Sequence, residues 1–250
     1  MKFRLLIIGV TLLAGCAMRR GDEIVVDGHY VHTGAHVVLF SDRGGFDAYQ
    51  SGGWNQRPAG QSIDQFVIHY DAVGRSGDCF AVLKSRGLSV HFMIDVDGTI
   101  YQTLDVKERA WHATKANNRS IGVEMANLGA FPLDQASVLQ LWHQAHPLSQ
   151  AIVGEVQGKM LKMYDFTPQQ YEALIKLTAA LCKTLPQIRC DYPRDISGKL
   201  ITHVLSDEEF ANFSGILGHY HVQADKVDPG PAFEWDKLID GVRRMQRSAS

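Results

Sequence analysis

The run Phe66-Val67-Ile68-His69-Tyr70 decides how the rest of the chain is read: three large apolar residues in succession, then a histidine at the end. A short continuous apolar stretch of this kind predicts a buried strand. Further strands are predicted at Val90–Asp95 and Thr99–Thr103, which flank Val96-Asp97-Gly98, since Asp-Gly is a strong hairpin signal, and at Arg119–Ala126. Between them, Asp78 is the candidate cap of a short helix through Arg86, with Gly87 as its stop. Thr167-Pro168-Gln169-Gln170 opens a longer helix, with threonine as cap, proline in the first turn and glutamine at the capping-box position. Tyr171, Leu174, Ile175, Thr178, Leu181 and Leu185 mark one face of it, and Pro186 ends it. Residues 130–165 show no clean period, 191–215 read as loop, and a last helix is expected from about Pro231 into the 240s. Strands mixed with long helices predict an α/β, or α+β, single domain.

Upstream of residue 63 the sequence is of another kind. Ile24–Val26 and His36–Phe40 are short β-like runs, and the glycine-rich stretch Gly44 to Gly60 reads as a loop or arm leading into the domain. At the start, Lys2 and Arg4 precede an apolar run from Leu5 to Leu13, followed by Leu13-Ala14-Gly15-Cys16. A basic start, a short apolar run and small residues describe a secretory signal, and the run is short of the roughly 20 apolar residues of a membrane span. The tetrapeptide resembles a bacterial lipoprotein box, which implies acylation of Cys16 and a membrane anchor of more than one acyl chain. Ala17 rather than aspartate after the cysteine implies the outer membrane, facing the periplasm.

A formal net charge of −2 with 21% charged residues gives no general attraction to nucleic acid or anionic lipid, so binding must come from a site. Once Cys16 is set aside, Cys79, Cys182 and Cys190 remain, an odd number. Cys182 and Cys190 are close enough in sequence to close a small loop, and free thiols are the alternative. None of the three shows the close pairing of a structural zinc site.

Neither His69 nor Glu124, each at the end of an apolar run, implies chemistry alone. The segment Gly218-His219-Tyr220-His221, followed by Asp225-Lys226-Val227-Asp228-Pro229-Gly230-Pro231, concentrates histidines, carboxylates and a lysine. Hydrolytic zinc takes three protein ligands from His and Asp/Glu and leaves a position open. His69 with one histidine and one aspartate from this segment meets that count. On an extended segment His219 and His221 face the same way, so His221 is a substitute ligand, with His203 a more distant one.

His69 after its strand, Ser89-Val90-His91-Phe92, Asp97-Gly98-Thr99-Ile100-Tyr101-Gln102, Ala110-Trp111-His112-Ala113, Asn117 with Ser120-Ile121-Gly122-Val123-Glu124, and Gly218-His219 with Lys226-Val227-Asp228-Pro229-Gly230-Pro231 follow in order. Together they resemble the N-acetylmuramoyl-L-alanine amidase type 2 family, which includes anhydro-muropeptide amidases and peptidoglycan recognition proteins, over roughly residues 63–240. The resemblance implies a central mixed β-sheet flanked by helices and a zinc cofactor on His69, His219 and Asp228. It further implies Glu124 as activator of water and Lys226 as the cation steadying the oxyanion. His112 and Asn117 are expected to line the substrate cleft, and His91 to be structural. The implied substrate is peptidoglycan or a muropeptide; a non-catalytic peptidoglycan-binding lipoprotein of the same fold is the alternative. His219 and Asp228 stand one residue closer than in many members. The expected organisation is a signal peptide over 1–15, an arm over 16–62, and an amidase domain over 63–245 with an insertion around 130–215.

Overall fold

The computed structural model describes residues 21–134 and 151–248; the expected signal residues, Cys16 and residues 135–150 of the expected insertion lie outside them. The chain runs through β1 (Glu23–Val26), β2 (His29–His32), β3 (Val37–Leu39), β4 (Trp54–Gln56), β5 (Gln65–Tyr70), α1 (Ser76–Ser85), β6 (Phe92–Ile94), β7 (Ile100–Gln102), β8 (Glu108–Ala110) and β9 (Ser120–Met125). It continues through β10 (Phe131–Pro132), β11 (Ala151–Val156), β12 (Lys159–Tyr164), α2 (Pro168–Thr184), α3 (Asp207–Asn212), β13 (Gly215–Gly218), α4 (His219–Val222) and α5 (Trp235–Ser248).

Phe66, Val67 and Ile68 are fully buried in β5, as their apolar run requires. The central sheet has the order β13-β5-β9-β6-β7-β3. The first four strands are mutually parallel, β7 returns antiparallel to β6 through the Asp97-Gly98 turn, and β3 lies parallel to β7. This is the mixed sheet expected of an α/β chain with one hairpin.

One face of the sheet, carrying Phe66, Ile68, Ile121 and Val123, packs on Tyr171, Leu174, Leu177 and Leu181 of α2 and on Leu238, Ile239 and Val242 of α5. The other face carries Val67 and Leu217 against Phe210 and Val222, and Met93 against Cys79 of α1. The predicted start of α2 is present in full: Thr167 Oγ1 accepts from Gln170 N at 3.1 Å, and Thr167 N donates to Gln170 Oε1 at 2.9 Å. Among the described residues, no helix is long and apolar enough to cross a membrane.

Three expectations change, and the insertion is seen as part of the domain. Residues 21–62 are no detached arm, because Val37 and Leu39 are buried and β3 closes the edge of the central sheet on β7. Helix α1 begins at Ser76 with Arg75 at its cap position, so Asp78 lies inside the first turn, where its charge complements the helix dipole. The stretch 191–215 contains α3, whose capping box joins Ser206 and Glu209. The expected insertion is knit into the domain: α2 packs on the sheet, and β10, β12 and β11 form a small antiparallel sheet of their own. Cys79, Cys182 and Cys190 are free thiols.

His91 acts as an internal tie. Its Nδ1 accepts from Gly122 N at 3.1 Å, which leaves the proton on Nε2 to donate to Glu108 O at 3.0 Å. Burial, then the nearby Arg57, lowers its pKa from 6.5 to about 3. The folded chain therefore takes up this proton less readily than the unfolded chain. The associated stability is complete above about 6.5 and drains away as pH falls toward about 3. In urea unfolding across that window, His91→Gln is expected to flatten the acid-side slope by up to about 1.4 kcal/mol per pH unit. An unchanged slope would mean that His91 is not the group being titrated.

Candidate active site

Three parallel strands end side by side, and each delivers one functional side chain at its carboxyl end, the place where open α/β sheets bind their ligands. His69 of β5 is paired in register with Glu124 of β9. Gly218, the last residue of β13, pairs with Ile68, so His219 emerges next to His69. Lys226 and Asp228 come from the chain that follows α4.

His69 Nδ1 lies 3.0 Å from His219 Nδ1 and 2.9 Å from Asp228 Oδ2, and His219 Nδ1 lies 3.0 Å from the same carboxylate oxygen. All three residues are buried. The outer nitrogens are already engaged. His219 Nε2 donates to Gln223 Oε1 at 2.8 Å, and His69 Nε2 is 3.0 Å from His112 Nδ1. His112 Nε2 in turn meets Ser120 Oγ at 3.1 Å. With the protons on the outer nitrogens, two imidazole lone pairs and a carboxylate face one another. The spacing is near the roughly 3.3 Å that separates neighbouring ligands about a tetrahedral zinc ion with bonds of about 2.0–2.2 Å. Two neutral histidines and one carboxylate are also a donor set that catalytic zinc takes. The residues fit a metal.

The electrostatics agree. Burial, then His219, lowers the pKa of His69 to about 4, which keeps its ring neutral. Burial acts to raise Asp228, yet the adjacent His219 and His69 outweigh it and hold this carboxyl below the usual range. Glu124 behaves oppositely: burial, then Asp228 and Asp71, raises it well above an ordinary glutamate. Its Oε2 is buried and accepts no hydrogen bond among the described residues. An orphaned carboxylate oxygen is costly unless the site uses it.

These groups open onto a cavity of about 340 Å³ lined also by Cys79, Leu88, Trp111, His112 and Lys226. Trp111 is held in place there by a 2.7 Å hydrogen bond from Nε1 to Asn55 Oδ1.

His69, His219, Asp228, Glu124, Lys226 and His112 are thus brought together, while three other expectations are corrected. His221 does not face the way His219 does. The segment is one helical turn rather than extended, so residues two apart point in nearly opposite directions. His221 Nδ1 accepts from Gly218 N at 2.9 Å and Nε2 donates to Ile201 O at 2.7 Å. His203 is exposed in the loop before α3 and, among the described residues, joins no metal group. Asn117, expected at the cleft, turns inward: its Oδ1 accepts from His112 N at 3.1 Å and Ala113 N at 2.7 Å, bracing the loop that presents His112.

Two supporting residues are not among the site residues expected from the sequence. Arg57, in the glycine-rich stretch read as an arm, donates to Glu108 O at 2.7 Å, Ser120 O at 3.0 Å and Asn117 O at 2.9 Å. Gly122 leaves room for the His112 ring, which a Cβ there would meet at 2.6 Å. The only signal for either was the isolated glycine within a strand pattern, a mark of close approach.

The family model described as N-acetylmuramoyl-L-alanine amidase matches residues 59–231. A curated relative, the 1,6-anhydro-N-acetylmuramyl-L-alanine amidase AmpD of Haemophilus influenzae, is 23% identical over 222 residues, covering 78% of this chain and 90% of that one. Solved structures of similar fold include AmiD from E. coli in complex with anhydro-N-acetylmuramic acid-L-Ala-D-gamma-Glu-L-Lys, at 18% identity and TM-score 0.46 over 89% of this chain and 66% of that one. The drosophila peptidoglycan recognition protein SD is another, at 15% identity and TM-score 0.40 over 80% of this chain and 90% of that one. With its family model matched over most of its length, the chain belongs to the N-acetylmuramoyl-L-alanine amidase type 2 family.

Proposed function

We propose that this protein is a zinc-dependent hydrolase of the amide between N-acetylmuramic acid and L-alanine in peptidoglycan or its muropeptide fragments. The observation that carries the reading is the meeting of His69 Nδ1, His219 Nδ1 and the Asp228 carboxylate, beside Glu124 with its unpartnered Oε2. His69 Nδ1, His219 Nδ1 and Asp228 Oδ2 would hold the ion, and zinc there supplies Lewis acidity toward the scissile carbonyl.

The protein groups divide the remaining work. Glu124 Oε2 takes a proton from the attacking water and returns it to the L-alanine nitrogen as the C–N bond breaks. Its raised pKa suits a base that must also act as an acid. Lys226, which lines the same cavity, would steady the negative charge that builds on the carbonyl oxygen. His112 holds the His69 ring by its outer nitrogen, so its part is to orient a ligand as well as to wall the cleft. The lipoprotein-box resemblance at Leu13-Ala14-Gly15-Cys16 supports a form anchored by lipid in the outer membrane and facing the periplasm, where peptidoglycan is within reach.

The decisive experiment is incubation of the purified protein with defined muropeptides, with mass analysis of the products. Stem peptides with a free L-alanine amine are expected, and a chelator should stop their release until zinc is restored. No release under any metal condition would instead assign the protein to muropeptide recognition without cleavage. Glu124→Gln is expected to keep the metal and lose about 10²–10⁴-fold in kcat. Lys226→Ala should lose about 10²–10³-fold. Full activity in Glu124→Gln would remove the proposed base. His112→Ala should weaken zinc binding about 10–100-fold in chelator competition, and unchanged affinity would confine His112 to the cleft wall. For the anchor, Cys16→Ser should abolish fatty-acid labelling and release the protein from membranes, whereas persistent labelling would reject acylation at Cys16.

A further inference from the structure

The segment that bears His219, Lys226 and Asp228 has little regular structure to hold it. Helix α4 is a single turn, and residues 223–234 contain neither helix nor strand. Its backbone carbonyls must find donors elsewhere. Three of them meet one side chain. Gln157 Nε2 lies 2.9 Å from Tyr220 O, 3.1 Å from Gln223 O and 3.2 Å from Lys226 O, while Gln157 Oε1 accepts from Val204 N at 3.1 Å.

Gln157 is itself held firmly. It forms the tip of the β11–β12 hairpin with Gly158, and both have positive φ (54° and 69°), as a two-residue turn of this kind requires. Its backbone N donates to Thr202 O at 2.8 Å. The hairpin also packs on the end of the same segment. Met163 of β12 fills the space left by Gly230, and a Cβ on Gly154 of β11 would meet Pro231 at 2.9 Å. Within the segment, Tyr220 N donates to Asp228 O at 3.1 Å and Lys226 N to Gln223 O at 3.2 Å. Of the carbonyls gripped by Gln157, one belongs to Tyr220, which follows His219 and whose N–H holds Asp228 O, one to Gln223, which also accepts from Lys226 N, and one to Lys226 itself.

We propose that Gln157 is a positioning residue that fixes the segment 219–228, so that His219, Asp228 and Lys226 converge on one point. The β11–β12 hairpin thereby becomes part of the site. What the three converging groups do rests on the amidase reading; the clamp itself is a property of the fold.

The variant that tests this is Gln157→Met, which keeps the length of the side chain and removes its donors. In metal-free protein, amide hydrogen exchange over 219–228 is expected to quicken while β5 and β9 stay unchanged. The zinc dissociation constant, measured by chelator competition, should rise about tenfold. On a muropeptide, kcat should fall with KM nearly constant. Lys226→Ala should then cost less in the Gln157→Met background than alone, because the two changes remove one arrangement. Wild-type exchange and zinc affinity in the variant, or a loss confined to melting temperature with an additive Lys226→Ala effect, would overturn the proposal. If the native protein neither binds zinc nor releases stem peptide, the amidase reading falls, and the exchange experiment still judges Gln157.

Discussion

His69 Nδ1, His219 Nδ1 and Asp228 Oδ2 are held within 3.0 Å of one another where little water reaches, and the surrounding protein prevents any of them from turning away. Lone pairs so placed repel unless a cation stands among them. Burial makes the constraint stronger, since a low dielectric penalises both a free proton on the rings and an unshared carboxylate charge. Burial lowers His69, whereas His219 and His69 outweigh burial to lower Asp228, so both groups favour the deprotonated form that a metal requires.

Keeping three donors in that arrangement takes a second layer of contacts. The ring of His69 backs onto His112, and His112 onto Ser120. Arg57 crosses from a loop early in the chain to donate to the carbonyls of Ser120, Glu108 and Asn117, tying β8 and the entry to β9 together. Its desolvation is large enough that burial lowers the guanidinium to about 10, and backbone carbonyls answer that cost. On the opposite side, Gln223 engages His219, and the β11–β12 hairpin presses on the segment that supplies Asp228. The residues read as arm and as insertion both end up braced against the active-site elements.

Much of the fold was legible because the signals are local. Phe66-Val67-Ile68 had to be buried, Asp97-Gly98 had to turn, and Thr167 with Gln170 had to cap a helix, whatever the rest of the chain did. The capping box of Ser206 and Glu209 is equally local, although it starts a helix of only six residues. Strand β3 lies within the β-like run His36–Phe40, but only its pairing with β7 shows that it closes the sheet.

The amino-acid sequence by itself determined which residue types were available for chemistry and in what order: a strand-end histidine, a strand-end glutamate, and a late cluster of histidine, lysine and aspartate. Its residue types left both His219 and His221 open, and only the family resemblance preferred His219. That choice depends on whether four residues are extended or wound into a turn, and the packing of His221 against Ile201 and Trp235 decides it. Nor could it show that Asn117 faces its own loop, or that Gln157 reaches a segment more than sixty residues away. Local propensity is written along the chain, whereas these contacts exist only once parallel strands bring distant segments to one edge of the sheet.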